Sequence, residues 1–154
     1  MGRVWSVSMP KSYVAEQSYY FERAQPPKVF EALTDPKMLV KWFLSKAKLD
    51  PKKGGNYSFH WIGGYHMTDK VKKFDANKAV SFAWSDRIKN GEMAKTTASF
   101  EVAKKGKGTL LKLRHTGFKD PEHFADCSSR WAYYLTNMKS VLEQGVDLRS
   151  KYNW

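Results

Sequence analysis

Cysteine is nearly missing from this chain: Cys127 is the only one in 154 residues. An intramolecular disulfide is therefore excluded, and with it the stapled scaffolds of small secreted domains. Long apolar runs are missing as well. No stretch approaches the roughly 20 residues that span a bilayer, and the opening MGRVWSVSMPKSY has neither a continuous apolar segment nor a small-residue cleavage site. A cytoplasmic location is the resulting expectation. There is no internal repeat, no low-complexity tract and no linker that would divide the chain. The sequence also lacks a nucleophile elbow, a phosphate loop and a dinucleotide fingerprint, so no cofactor is implied. Acidic residues are few, 15 against 27 Lys and Arg, which leaves a formal net charge of +12.

What is present is an ample supply of core material. The chain is 42% hydrophobic and 15% aromatic, enough for one domain with a substantial core and too much for a disordered chain. From Asp120 to Gly145, the residues Phe124, Cys127, Trp131, Leu135, Met138 and Leu142 recur at steps of three and four. That spacing predicts a long helix with one broad apolar face. Asp120 suits its N-cap, Pro121 its first turn and Gly145 its left-handed exit.

Upstream, the periodicity shortens. Residues 1–12 form an arm, open between poor order and a short edge strand over Trp5, Val7 and Met9. A first strand is expected from Tyr13 to Arg23, then two short helices, Pro27–Leu33 and one capped by Asp35 with Pro36 in its first turn. Alternating segments follow: 47–49, 56–62, 65–74, a strand over Val80, Phe82 and Trp84, and a final pair, 95–103 and 109–116. Gly54-Gly55, Gly63-Gly64 and Asn90-Gly91 mark turns between them. An apolar sheet face of this size needs cover, and the terminal helix supplies it. The fold class is α+β: a curved antiparallel sheet of about seven strands wrapped round a long C-terminal helix, with two short helices after the first strand.

The run Ala24-Gln25-Pro26-Pro27-Lys28-Val29-Phe30-Glu31-Ala32-Leu33-Thr34-Asp35-Pro36, followed by Leu39 and Lys41-Trp42-Phe43, closely resembles the opening of the family of homologues of the heat-shock-protein-ninety ATPase activator. Gly54-Gly55-Asn56-Tyr57-Ser58-Phe59, Val80-Ser81-Phe82-Ala83-Trp84, Gly108-Thr109 and His115-Thr116-Gly117-Phe118 agree in order, as do Trp131, Tyr134, Leu135 and Met138. The resemblance covers roughly residues 13–146. It implies the START-like, helix-grip superfamily (SRPBCC, plant-allergen-like), a single such domain over 13–154, and a cavity between sheet and terminal helix. Because only a short arm precedes that domain, a full activator role is not expected.

Strand parity and the resemblance together give the cavity walls as Phe59, Trp61, Met67, Phe82, Trp84, Leu111, Leu113 and His115 from the sheet. Trp131, Tyr134, Leu135 and Met138 come from the helix, with Trp42 and Phe43 near an entrance. Apolar walls with few polar groups suit a small hydrophobic or amphipathic ligand. The opposing reading is that six Trp and their aromatic neighbours fill the space. His115 has two readings, a ligand-orienting group or a structural histidine. Asp69 shares parity with Met67 and is a weaker polar candidate. His123 and Cys127, four apart, face one side of the helix, but two ligands do not make a metal site. Cys127 is expected to pack as a small hydrophobe, and no metal is expected.

The leading function is thus non-catalytic ligand binding. Two others stay open: a chaperone-associated interaction module, its Lys37, Lys41, Lys46, Lys48, Lys52 and Lys53 meeting an acidic protein surface, and a cyclase-, dehydratase- or hydrolase-like enzyme using His115 or Tyr134. Lysine outweighs arginine and no aromatic–arginine alternation is present, which speaks against nucleic acid. Monomer and homodimer are equally compatible with the sequence.

Overall fold

Alternation of large inward and small or polar outward residues builds the sheet. In the computed structural model, which describes residues 12–150, Val80, Phe82 and Trp84 are buried while Ser81, Ala83 and Ser85 between them are half-buried. Leu111, Leu113 and His115 are likewise inside, with Lys112 and Arg114 outside. The arm expected over residues 1–12 lies, but for Ser12, outside the described residues.

In chain order the elements are β1 (Tyr13–Phe21), α1 (Pro26–Thr34), α2 (Pro36–Trp42), β2 (Lys46–Leu49), β3 (Asn56–His60), β4 (His66–Asp75), β5 (Ala79–Arg87), β6 (Met93–Lys105), β7 (Gly108–Phe118) and α3 (Pro121–Gln144). A short 3₁₀ turn, Leu148–Ser150, follows. The strands make one seven-stranded sheet in the order β1-β7-β6-β5-β4-β3-β2, antiparallel throughout. Register shifts in β1, between Tyr13 and Ala15, and in β4, between Val71 and Lys73, are the kind of irregularity that bends a sheet. Where the chain turns from β6 into β7, a Cβ on Gly108 would sit 2.0 Å from the Phe21 carbonyl oxygen, so only glycine lets β1 and β7 meet there.

At 1.5 Å per residue α3 is about 36 Å long, and its caps are the expected ones. The Asp120 carboxylate accepts the Glu122 amide at 3.0 Å, and Gly145 leaves the helix with φ of 69°. Its inward stripe of Cys127, Trp131, Leu135 and Met138 is buried. α1 and α2 are joined so tightly that Asp35 closes one helix and caps the next, accepting the Lys37 amide. The Trp42 indole then donates back to the Ala32 carbonyl at 2.8 Å, locking the pair.

Beneath the middle of α3 the space is filled. Trp42, Phe59, Phe82, Phe100 and Trp131 enclose only about 10 Å³, at or below what one water needs. Two buried polar residues are built into this packing. The Trp131 indole Nε1–H donates to His115 Nδ1 at 2.9 Å, and His115 Nε2 meets Thr96 Oγ1 at 2.6 Å. Because Nδ1 accepts, the ring is the neutral tautomer with its proton on Nε2, and the Thr96 hydroxyl accepts from it while donating its own hydrogen bond to the Trp84 carbonyl. Burial agrees with this assignment and pushes the imidazolium pKa down to about 3. Asn137, fully buried, donates to the Trp42 carbonyl at 2.8 Å and to Asp147 Oδ1 at 2.9 Å. Its own Oδ1 accepts the Leu148 amide. One amide side chain thereby ties α3 to the end of α2 and to the turn after α3.

Two outcomes follow from these polar centres. Asn137→Ala leaves a buried carbonyl and amide without partners and is expected to cost about 2–4 kcal/mol, read by urea unfolding. For His115 the unfolded chain takes up a proton near pH 6.5 while the folded chain does not until about pH 3. Its contribution to stability is therefore complete above pH 6.5 and is lost as pH falls toward 3, at about 1.4 kcal/mol per pH unit. Unfolding free energies of the protein and of His115→Gln should converge by that slope over this range; parallel curves would show that His115 already carries its proton when folded.

Candidate functional site

The open space lies at one end of the grip. A cavity of about 570 Å³ sits between the N-terminal half of α3, the far end of β5 and the β3–β4 hairpin, within the roughly 300–1,000 Å³ of ordinary small-molecule pockets. Its inner wall is aromatic: Phe43, Trp61, Trp84, Trp131 and Tyr134. Phe43, the residue that ends α2, is the pivot of that wall. Its ring lies 5.4 Å from Trp61, 5.4 Å from Trp131 and 5.0 Å from Tyr134 between centroids. The exposed side chains of Ile62 and Tyr65 form an apolar lip. Arg87, Lys89, Glu122, Asp126 and Arg130 make a charged rim of mixed sign, and Lys89 meets Glu122 at 3.4 Å across it.

A polar cluster is set into the wall. Asp86 continues the inward parity of Val80, Phe82 and Trp84 and is 5% exposed. His123 and Cys127 occupy successive turns of the inward stripe of α3, two turns and one turn before Trp131, at 7% and 4% exposure. His123 Nε2 donates to Asp86 Oδ2 at 2.8 Å, and the Cys127 thiol reaches the same oxygen at 3.3 Å. The Tyr65 hydroxyl donates to Asp86 Oδ1 at 2.9 Å. Burial opposes ionisation of Asp86, but the donors from His123, Tyr65 and Cys127 outweigh it and hold the carboxyl below the usual carboxylate range. Burial and the adjoining Asp86 charge push the Cys127 thiol up and the Tyr65 phenol to about 12. The thiol is thus a protonated donor rather than a ready nucleophile.

The residues expected in the cavity divide between two regions. Phe43, Trp61, Trp84, Trp131 and Tyr134 line it. Trp42, Phe59 and Phe82 face the filled space beneath the helix, and Met67, Leu111, Leu113, Leu135 and Met138 are packed in the core behind. His115 is also behind the wall, engaged by Thr96 and Trp131. Asp69 is half-buried and takes hydrogen bonds from Ser85 and the Lys70 amide, away from the cavity lining. Asp86, Tyr65, Arg130 and Ile88 were not anticipated. Asp86 had a legible signal, because the alternation through Phe82 and Trp84 continues two residues further. Tyr65 and Ile88 sit at hairpin ends, where parity gives no direction.

Known proteins share this architecture. The family model described as Activator of Hsp90 ATPase homolog 1-like protein matches residues 23–143. The Aha1 dimer from Colwellia psychrerythraea is 25% identical, with a TM-score of 0.75 over 86% of this chain and 98% of that one. SSP2350 from Staphylococcus saprophyticus is 17% identical, TM-score 0.76, over 89% and 96% of the two chains. The AHSA1-like protein RHE_CH02687 from Rhizobium etli is 22% identical, TM-score 0.69, over 91% and 88%. No curated protein sequence matches. No helix among the described residues is long and apolar enough to cross a membrane. With its curved sheet gripping a C-terminal helix and most of its length matched, the chain belongs to the family of Activator of Hsp90 ATPase homolog 1-like proteins, of helix-grip fold.

Proposed function

We propose that the protein binds a small amphipathic molecule in the cavity at the N-terminal end of α3, without transforming it. The observation that carries this reading is the division of the cavity surface. Five aromatic side chains form one continuous wall, and the polar lining residues His123, Asp126 and Arg130 precede Trp131 and Tyr134 along α3. A flat apolar body fits among the rings, where stacked and edge-on contacts are each worth about 0.5–1.5 kcal/mol beyond burial. A polar head would then lie at the charged rim. The buried carboxylate has its oxygens taken by Tyr65, His123 and Cys127, so it is poorly placed to accept a proton from a ligand, and this favours binding over acid–base turnover.

A second reading is favoured by charge. Lys37 and Lys41 on α2, Lys46 and Lys48 on β2, and Lys52 and Lys53 in the turn after it are all exposed, and β2 is an edge of the sheet. Such a face suits an acidic protein surface, and family membership makes a chaperone of the heat-shock-protein-ninety kind the partner to try. A chaperone ATPase assay with and without the protein, over a range of salt, tests it; no stimulation and no salt-sensitive binding would remove it.

For the leading reading, anilinonaphthalene sulfonate is expected to bind and to be displaced by apolar library compounds. Trp61→Ala and Tyr134→Ala should each weaken binding by about 3- to 10-fold, while Lys104→Ala on the far hairpin leaves it unchanged. Absence of any displaceable ligand across a broad apolar library, by native mass spectrometry and fluorescence, would defeat it.

A further inference from the structure

Asp86, His123 and Cys127 together have the makings of something neither ligand binding nor core packing requires. Their ligating atoms (a carboxylate oxygen, an imidazole nitrogen and a sulfur) all lie within 4.8 Å of one another, and all three residues are buried. They come from two elements that meet only in the folded chain, β5 and the first turns of α3. The i, i+4 spacing of His123 and Cys127 turns both toward the strand. All three also line the cavity, so a fourth position beside them faces open space rather than packed core.

We propose that this cluster binds one divalent transition-metal ion, with Zn²⁺ the best match, and leaves a coordination position open to the cavity. Three protein ligands plus one open position is the arrangement of open zinc sites, and Cys, His and Asp are each zinc ligands. The sulfur and imidazole donors select against Mg²⁺ and Ca²⁺, which take oxygen ligands. Charge also balances. In the free protein the His123 N–H and the Cys127 S–H both point at Asp86 Oδ2. When the metal enters, the Cys127 S–H bond breaks, a sulfur–metal bond forms and that proton leaves to solvent, while His123 loses its Nε2 proton to solvent and takes one up on Nδ1, which frees the Nε2 lone pair for the ion and keeps the imidazole neutral. One thiolate, one carboxylate, a neutral imidazole and M²⁺ sum to zero, so the ion takes the buried site from one negative charge to none. Tyr65, donating to the other carboxylate oxygen at 2.9 Å, holds Asp86 in orientation as outer partners of metal ligands do. The ion would sit where the polar head of a cavity ligand lies, although the site does not depend on any ligand being bound.

The test is Co²⁺ titration of the chelator-treated protein, free of any tag. The expected result is one ion per chain, with a sulfur-to-cobalt charge-transfer band in the near ultraviolet, intense visible bands of four-coordinate cobalt, and displacement of both by Zn²⁺. Cys127→Ser should abolish the charge-transfer band, and His123→Ala and Asp86→Asn should each weaken affinity at least about tenfold, with circular dichroism showing that the variants fold. A pair of imidazoles elsewhere, His60 and His66, lies with ring centroids 5.4 Å apart on β3 and β4. His66→Ala should leave the spectrum unchanged. The proposal is overturned if Co²⁺ binds without the sulfur band, if His66→Ala removes binding, or if no ion binds at micromolar Zn²⁺. Because no organic ligand enters this titration, its failure would leave the ligand-binding reading untouched, and the reverse holds too.

Discussion

The seat of Trp131 is the constraint on which the rest of this structure depends. Its ring packs against Phe43, Trp84 and Phe100 at centroid distances of 5.2–5.4 Å, and its indole N–H is spent on His115. An indole buried on several sides and hydrogen-bonded at its edge has one orientation, so it fixes both the height and the rotation of α3 over the sheet. Toward the C-terminal end of the helix that height is fully used by Leu135 and Met138. Toward the N-terminal end the next inward residues are the smaller Cys127 and His123, and the same height leaves a cavity. Filled core and open pocket are thus two consequences of one spacing.

His115, Asn137 and Asp86 all have partners, and the partners differ in kind. His115 is satisfied by Thr96 and Trp131, and Asn137 by two backbone groups and the Asp147 carboxylate, an arrangement that pins elements to one another. Asp86 is satisfied by three donors at a wall that solvent-sized molecules can reach. A carboxylate in that position is costlier to keep than an apolar residue of the same volume. Among the described residues, the Ser128 hydroxyl is the single buried side-chain group without a partner. The exposed ion pairs, such as Lys107 with Glu22 and Arg114 with Glu16, contribute little beside these.

Much of the fold was legible because its signals are local and redundant. The caps of α3, the Asp35-Pro36 junction and the alternation in β5 and β7 each specify backbone geometry within a few residues. The site was legible only in part, for a physical reason. Parity tells which face a residue takes, and it correctly turns Phe59, Leu111 and Leu113 inward. It cannot tell whether the inward space at that level is occupied. That depends on how several rings from distant elements share one volume, and Phe43 alone touches rings from α2, β3, β5 and α3. His123 and Cys127 illustrate the same limit. Their spacing was plain, but the third member of the cluster is 37 positions from His123. The role of Asn137 depended on a turn after α3 that carries no periodic pattern.

The place of β1 has a consequence for how the chain reaches this state. Strands β3 to β7 pair in sequence order, each with its neighbour through a short connection. β1 has to wait, since its only partner in the sheet among the described residues is β7 and the bond from Thr109 to Ala24 spans 85 positions. Loop closure over such a distance is entropically costly and is repaid only when the partner strand exists. During synthesis, then, β1 leaves the ribosome before the other described strands and is the last of them to be paired, and α3 arrives later still. Until that moment the aromatic face of the meander has no cover, so the interval between the emergence of β7 and the docking of α3 is when this chain is most exposed to aggregation.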